Sequence, residues 1–403
     1  MRHIREFLGL ERNILVMLGT VFFLGFGEEL WARFMPKYLE FLGAGTMTIA
    51  MYGTLKDLLD ALSQYPGGWL TDRLGRRAAL MAFSLIAIAG YIIYLFSSTW
   101  EWIIFGTLFA AAWGSHTSPA IFAIIGDTLS SNRRSIGFGV QSILKRIPVM
   151  FAPLCGGWLI ALVGLAWGLK IGFLVSILLG IFSILIVKRY YISPLLQAHE
   201  RLRFRDMWRQ LHPRLRRLLL ADCFARWAEG IPEVFIILYA VNIIGLSSFE
   251  FGSLTSISML TAILTYIPIA KISDRVNRKP FVLLTFAFFA LYPLAVVLSK
   301  NFIFLILAFV IGGLREIGEP ARKAMIVDLA NEKARGRTVG FYYLIRGVVV
   351  FPAALIGGWL WTMNYKFPFY AAGGAGIVGL LAFAVWGSDD RVESQSATTK
   401  GAI

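Results

Sequence analysis

The chain has 403 residues, of which 57% are hydrophobic and only 16% are charged, whereas a soluble globular protein is about half apolar and about a quarter charged. This composition excludes an ordinary water-soluble domain and indicates a membrane protein. The net charge of +15 would suit a nucleic-acid-binding protein, but the lysines and arginines lie mainly in alternate loops between apolar segments, which is the positive-inside bias of membrane proteins. We therefore expect no nucleic-acid partner.

Twelve apolar segments follow one another along the chain, each close to the ~20 residues that cross a bilayer. They lie near residues 14–35, 47–70, 78–97, 101–126, 138–163, 167–187, 217–243, 250–271, 280–299, 302–327, 339–362 and 367–387. The basic loops alternate with loops of little charge, which predicts a multi-pass protein of the cytoplasmic (inner) membrane with both termini in the cytoplasm. The first segment is too long for the apolar core of a signal peptide, so we expect it to be retained.

The two halves of the chain repeat each other. The loop at residues 68–77 returns at residues 270–279. Other positions have counterparts 201 residues later: Pro119 and Pro320, Asp127 and Asp328, Arg134 and Arg335, Lys145 and Arg346, Gly156-Gly157-Trp158 and Gly357-Gly358-Trp359. Such duplication is typical of secondary transporters. The predicted domains are a six-span bundle at 1–188, a basic linker at 189–216, a second six-span bundle at 217–387, and a cytoplasmic tail at 388–403.

The repeated loop resembles the signature between the second and third helices of the major facilitator superfamily. That signature combines a glycine, an Asp-Arg pair, a second glycine and paired basic residues, and the resemblance extends over essentially the whole chain. It implies an all-α membrane fold of twelve transmembrane helices in two six-helix bundles. By resemblance the loop is a cytoplasmic gate motif that latches the two bundles, although the arginines could also serve only to fix topology. The gate candidates are Gly68, Asp72, Arg73, Gly75, Arg76, Arg77, Asp127, Asp274 and Arg275.

A second motif resembles a smaller group within that family. The segment 152–157, Ala-Pro-Leu-Cys-Gly-Gly, is similar to the fifth-helix signature of the family's antiporters. However, the family's drug:proton antiporters have a fourth-helix arginine at the position of Thr107. The resemblance therefore supports the fold more strongly than it supports proton-driven drug export.

Charged residues inside the apolar segments form the candidate substrate and proton pathway. A charge at the bilayer centre costs roughly 2.5–3.5 kcal/mol on insertion scales, so such residues normally face a cavity or a partner. By resemblance, the first, fourth, seventh and tenth spans line the central cavity, and the candidates lie on these spans or beside them. They are Glu28, Glu29, Arg33, Asp57, Asp60, Lys145, Glu229, Glu233, Arg315, Glu316, Glu319 and Arg346.

Some of these charges could neutralise one another instead of serving transport. Residues four apart on a helix are neighbours, and the predicted pairs are Glu29–Arg33, Lys56–Asp60 and Arg315–Glu319. Asp222 and Arg226 lie near the cytoplasmic end of their span, which favours a gate or interface role.

The other candidates suggest a role in coupling and recognition. Glu28, Glu229 and Glu233 are candidate proton carriers, because a carboxyl group in a low-dielectric cavity can hold a proton. Lys145 and Arg346 are candidates to bind an anionic group of the substrate.

These patterns predict a secondary active transporter that moves a small polar, charged or amphiphilic solute by alternating access, with H⁺ as the candidate coupling ion. The sequence contains no phosphate-binding loop for ATP hydrolysis, and we expect neither a cofactor nor a bound metal. The expected partners are the solute and membrane lipid, and the expected state is a monomer. The alternatives are a multidrug or lipid-like efflux transporter, a transporter-like sensor, and an intramembrane enzyme. An enzyme would need a nucleophile with a base or a metal site, and a lone histidine within a span does not provide one.

Overall fold

The structure is a computed structural model that describes residues 12–111, 131–192, 208, 211–273, 277–330 and 335–387. Over these residues the chain forms helices joined by turns and short coils, with no β-strand, so the predicted all-α class is confirmed. Seven helical stretches within them are long and apolar enough to cross a membrane: Leu15–Phe41, Arg77–Phe96, Lys145–Val163, Leu165–Tyr190, Lys279–Leu298, Thr338–Met363 and Phe367–Trp386.

The first compact unit contains the helices of the N-terminal half. They are α1 (Arg12–Glu29), a 3₁₀ turn (Ala32–Phe34), α2 (Met35–Phe41), α3 (Thr46–Leu74), α4 (Arg76–Phe96), α5 (Trp100–Ala110), α6 (Ser131–Val163) and α7 (Leu165–Tyr190). An aromatic cluster fills the space beside the end of α1, where the ring of Trp31 meets Tyr91, Tyr94 and Phe173 edge-on at 5.6, 5.4 and 5.3 Å. The indole Nε1 of Trp31 donates to Ser176 Oγ at 2.9 Å, so the chain that follows α1 is held in place.

The second half of the chain forms a longer series of shorter helices. They are α8 (Pro213–Gly230), α9 (Phe235–Leu238), a π-helical turn (Tyr239–Ile243), α10 (Ser248–Ser273), α11 (Lys279–Leu298), α12 (Phe302–Leu314), α13 (Glu319–Asp328), α14 (Arg335–Val350), α15 (Ala353–Met363) and α16 (Phe367–Trp386). The second compact unit comprises Arg201–Ile236 and Ile257–Ile403. Its apolar core brings together buried residues of α8, α11, α13 and α16, among them Leu218, Phe286, Ile326 and Phe383.

The segment Ile237–Ser256 belongs to the first unit. The Nζ of Lys37 donates to Asn242 Oδ1 at 2.5 Å, and the Nδ2 of Asn242 donates to Glu40 Oε1 at 2.7 Å. The predicted division of the chain at residues 189–216 stays a prediction, because most of that stretch lies outside the described residues.

Within the described residues, four of the predicted apolar spans are interrupted. The interruptions lie at residues 30–34, 231–234, 315–318 and 351–352. Prolines explain them, because a proline removes a helical hydrogen bond in a helix interior but is tolerated in the first turn. Pro36 and Pro320 stand in the first turns of α2 and α13, Pro232 lies in the turn after α8, and Pro352 precedes α15.

These interruptions coincide with the charged candidates. Glu28, Glu229 and Arg315 each lie within two residues of the start of an interruption. Non-helical backbone at membrane depth is tolerated only where protein covers it or where it lines a water-filled cavity. The breaks in the first, seventh and tenth spans therefore mark the places where a polar pathway is compatible with the bilayer.

Positions that repeat in the sequence also make equivalent packing contacts in the two halves. A methyl group placed on Gly156 would lie 2.9 Å from the carbonyl carbon of Leu30, and one on Gly357 would lie 3.0 Å from that of Ile231. The same methyl groups would meet the rings of Phe34 and Phe235 at 3.3 and 3.2 Å. Each residue of the second set stands 201 positions after its counterpart in the first (357−156, 231−30, 235−34). In each unit a glycine thus lets one helix approach the interrupted backbone of another.

Replacing either of these glycines should destabilise the protein. We expect Gly156→Ala and Gly357→Ala each to lower the melting temperature of the purified protein, because overpacking a tight contact costs about 1–3 kcal/mol. Gly340→Ala is the matched control, since Gly340 is also helical and a methyl group there meets nothing within 4 Å. Melting temperatures for the two test variants equal to that of the control would contradict the tight packing.

Candidate functional site

The second unit contains a network of ion pairs that joins α8, α13 and α14. Its deepest members form what we call the buried layer: Asp222, Glu319, Arg322 and Tyr342. Arg322 donates to Asp222, and its Nε and Nη2 donate to the two carboxylate oxygens of Glu319 at 2.9 and 2.7 Å. The hydroxyl of Tyr342 donates to Asp222 at 2.9 Å. The side chains of Asp222 and Arg322 are each 1% exposed, so this layer is closed to any solute.

A second set of charges lies on top of the buried layer and is partly exposed. This accessible layer consists of Arg226, Glu229, Arg315 and Arg346, whose side chains are 18%, 32%, 18% and 20% exposed. Each oxygen of the Glu229 carboxylate faces one guanidinium group, Arg226 Nη1 at 2.7 Å and Arg315 Nη1 at 3.3 Å. Arg346 Nη1 reaches down to Asp222 at 3.2 Å. The accessible layer thus contains three guanidinium groups and one carboxylate.

Aromatic rings fix the planes of these guanidinium groups. Arg226 and Arg315 both lie over the ring of Phe289, at 5.0 and 5.2 Å, and Arg315 also lies 4.4 Å from the ring centre of Tyr292. Arg346 lies over Tyr343 at 4.7 Å. Such contacts are worth about 0.5–2 kcal/mol each, so the rings help the acids to hold the arginines of the accessible layer in place.

The first unit has a different set of charges. Arg33 Nε donates to Glu29 at 3.2 Å, which confirms the predicted Glu29–Arg33 pair. Lys145 is exposed and lies within electrostatic reach of Glu28. Asp57 is half-buried and Asp60 is exposed.

The pairing predicted for Arg315 and Glu319 is wrong. Arg315 pairs with Glu229, whereas Glu319 pairs with Arg322, Arg226 and the exposed Lys323. The reason is the turn at residues 315–318: two residues four positions apart share a face only along a continuous helix. Glu233 and Glu316 are both half-buried, and their roles in the pathway stay predictions.

Arg322 is the residue that the sequence interpretation missed. It follows the break in the tenth span, and it shares with Asp222 the deepest burial of any charge in the described part of the chain. The sequence did contain a signal for this residue. One apolar span contains Glu319, Arg322 and Lys323, and spacings of three and four place the two cations beside the glutamate on a helix. Asp222 and Arg226, predicted to be gate or interface residues, lie in the same network.

The gate motif is only partly described. Gly75 has a φ of 81°, a backbone conformation that favours glycine, and it joins α3 to α4. The guanidinium of Arg77 donates to the carbonyl oxygen of Lys188. The structure does not describe the side chains of Asp72, Arg73 and Arg76 or the surroundings of Gly68. Asp127, Asp274 and Arg275 lie outside the described residues.

The second copy of the gate motif contains an ion pair. Arg278 Nη1 contacts Asp328 Oδ2 at 2.7 Å. Asp328 stands 201 residues after Asp127, one of the gate candidates. Asn277, which replaces the second glycine, accepts a hydrogen bond from the backbone N–H of Lys279, the first residue of α11, at 2.8 Å.

The two halves differ most at the candidate site. Glu28 and Glu229 are 201 residues apart (229−28), and each ends or nearly ends the helix before an interruption. However, the positions 201 residues before Arg226 and Arg315 are Gly25 and Gly114. The duplicated carboxylate therefore has two arginine partners in the second half and glycines at the equivalent positions of the first.

Comparison with known proteins identifies the class. A family model of the Major Facilitator Superfamily matches residues 17–225 and 218–402, so this chain belongs to that superfamily. The membership confirms the predicted fold class of twelve transmembrane helices in two six-helix bundles, and it confirms a multi-pass membrane transporter of the secondary type.

Individual relatives are distant but cover nearly the whole chain. The MFS-type transporter MJ1317 of Methanocaldococcus jannaschii is 21% identical over 92% of this chain and 94% of its own length. Multidrug resistance protein 2 of Bacillus subtilis is 22% identical, with the same coverage of 92% and 94%. Among solved structures, a POT family transporter in complex with 5-aminolevulinic acid matches with a TM-score of 0.77, at 16% identity over 93% of this chain and 96% of that one.

Breaking the buried layer should destabilise the second unit. We expect Arg322→Met to lower the stability of the purified protein by about 3–5 kcal/mol, because removing one partner leaves buried charges without compensation. Lys323→Met is the control, since the side chain of Lys323 is 48% exposed and contacts the same Glu319 at 3.6 Å. Thermal unfolding followed by tryptophan fluorescence measures the difference, and equal melting temperatures for the two variants would show that the layer does not hold the unit together.

Proposed function

We propose that this protein moves a small polar, charged or amphiphilic organic solute by alternating access, and that the movement is driven by a proton gradient. The observation that supports proton coupling is the difference between the duplicated carboxylates. Glu229 is engaged by Arg226 and Arg315. Among the described residues, the side-chain carboxyl of Glu28 forms neither a hydrogen bond nor an ion pair. We assign Glu28 as the proton carrier and the accessible layer of the second unit as the contact site for the solute.

The surroundings of Glu28 suit a group that changes its charge. Titratable groups from its own helix, from α3, from α4 and from α6 lie within electrostatic reach of its carboxyl: Glu29, Lys56, Asp60, Tyr91, Tyr94 and Lys145. Two of these groups are cations and two are acids, so charges of both signs lie around the Glu28 carboxyl. Glu28 also lies beside the break in the first span. Such non-helical backbone is tolerated at membrane depth where it lines a water-filled cavity and is not exposed to lipid.

Proton coupling can be tested before the direction of transport is known. The purified protein is reconstituted in liposomes that contain the pH-sensitive dye pyranine, and a panel of organic acids, amines and neutral drugs is added outside. A solute that is transported together with protons, in either direction, changes the dye signal. We expect Glu28→Gln to abolish the solute-dependent proton movement and to leave radiolabelled solute exchange intact, because exchange needs no net proton transfer.

The matched control for this experiment is Glu29→Gln. Glu29 precedes the same interruption, but its carboxylate is already paired with Arg33 at 3.2 Å, so we expect its replacement to leave the proton signal in place. Normal proton movement in Glu28→Gln would contradict the assignment of the carrier. A panel in which no solute moves at all would contradict the proposed function itself.

Multidrug efflux is the second candidate function, and the name of the Bacillus subtilis relative favours it. It predicts that the panel compounds with a proton signal are chemically unrelated lipophilic drugs.

The proposed function also includes the location and topology of the protein. We propose that it lies in the inner membrane with both termini in the cytoplasm, that it couples transport to protons and that it has no enzymatic activity. We also propose that the gate motif acts as a latch.

A further inference from the structure

We infer that the accessible layer binds an anionic group, a carboxylate or a phosphate, and that the solute is therefore a small organic anion. This inference rests on the proposed function, because it names the chemical class of the solute at the same site. The observation that supports it is the clustering of three guanidinium groups, from α8, the tenth-span turn and α14. Two of them, Arg226 and Arg315, face Glu229, and the third, Arg346, faces Asp222 of the buried layer.

The arginines of this layer have donor groups left for a ligand. A guanidinium group offers five N–H donors. Among the described residues, Arg346 uses only Nη1, toward Asp222, and Arg315 uses Nε toward the carbonyl oxygen of Gly312 and Nη1 toward Glu229. Arg226 is more fully engaged, because its Nη1 faces Glu229, its Nη2 faces Glu319 and its Nε is buried. The remaining N–H groups of Arg315 and Arg346 belong to guanidinium forks of the kind that binds a carboxylate or phosphate through two parallel hydrogen bonds.

The buried layer favours an anion as well. Arg346 shares Asp222 with Arg322 and Tyr342, so that carboxylate cannot neutralise Arg346 alone. A solute anion beside Arg346 would supply the missing negative charge. In a partly desolvated site such a charge-assisted hydrogen bond is stronger than one between neutral groups.

A cationic solute fits this site less well. The acid of the accessible layer is Glu229, and both of its oxygens already face guanidinium groups, at 2.7 and 3.3 Å. A cation approaching Glu229 would have to displace an arginine or lie beside two of them, and like charges at such distances repel strongly in a low-dielectric site. This comparison decides in favour of an anion over a lipophilic cation.

Three probes of one shape and different charge test the inference: 2-naphthoate, the neutral naphthalen-2-ylmethanol and the cationic 2-naphthylmethylammonium. Binding to the full-length protein in nanodiscs is measured by isothermal titration calorimetry, with empty nanodiscs subtracted. We expect 2-naphthoate to bind more tightly than the neutral probe. Arg346→Gln and Arg315→Gln should each weaken 2-naphthoate binding about tenfold or more, because a hydrogen bond to a charged group contributes about 1.5–3 kcal/mol.

The controls separate the anion site from general effects of charge and folding. Arg217→Gln removes one positive charge from an exposed position of α8 and should leave 2-naphthoate binding unchanged. Arg346→Lys keeps the charge without the fork and should restore only part of the affinity. Melting temperatures establish that each variant is folded.

The possible results distinguish this inference from the proposed function. Binding of 2-naphthoate that is absent, or unchanged in both Gln variants, would overturn the anion site. Tighter binding of the cation, lost in Glu229→Gln, would overturn the anionic class and leave a proton-coupled transporter of cations. Loss of proton movement in Glu28→Gln reports on the proposed function alone.

Discussion

The structure depends on one constraint: the interior of a bilayer offers no hydrogen-bond partners to an interrupted helix or to a charged side chain. This chain has both features at the same places. The breaks in the first, seventh and tenth spans lie beside Glu28, Glu229 and Arg315. Each feature needs water or protein around it, and because the two features coincide, one polar region at each break satisfies both needs. The contact between Gly156 and the carbonyl group of Leu30, repeated by Gly357 and Ile231, shows how closely the helices pack around these breaks.

Duplication of the sequence explains the packing contacts that the two halves share, and divergence of the sequence explains why their charged residues differ. The glycine contacts at the breaks have the same 201-residue register in both halves, as do the glutamates and the cations of the fifth and eleventh spans. The buried layer has no charged equivalent in the first half, since the positions 201 residues before Asp222, Arg322 and Glu319 are Val21, Ile121 and Ser118. One half therefore presents a carboxyl group without a hydrogen bond or ion pair among the described residues, and the other presents a cluster of arginines held by acids and aromatic rings. Such a division suits a transporter that must bind a proton and a solute at different groups.

Much of the fold was predictable from the sequence, because hydropathy and loop charge report directly on the bilayer. The twelve spans and the resemblance to the superfamily were recognised in this way. The interruptions were not, since Trp31, Pro232 and Ile317 lie within segments whose hydropathy is continuous. The prolines at 36, 232, 320 and 352 were the signal that could have revealed them.

The candidate site was predictable as a set of residues but not as a set of contacts. Spacing along one helix correctly paired Glu29 with Arg33. It failed for Arg315, because the chain turns immediately after it and its partner comes from α8. Arg322 was missed because its most buried partner, Asp222, is 100 residues away in the sequence, and no local pattern encodes a contact between distant helices.

The central claim is that the charged residues beside the breaks line a path that water can enter. Cysteine accessibility in intact membranes tests this claim most directly. In a background with Cys155→Ala and Cys223→Ala, the variants Glu28→Cys, Glu233→Cys and Arg315→Cys should react with a membrane-impermeant methanethiosulfonate reagent, from one side of the membrane or the other. Leu307→Cys, at a 57% exposed position on the apolar surface of α12, should not react. Unreactive cysteines at all three charged positions, with equal reactivity only after the membrane is dissolved, would contradict the account.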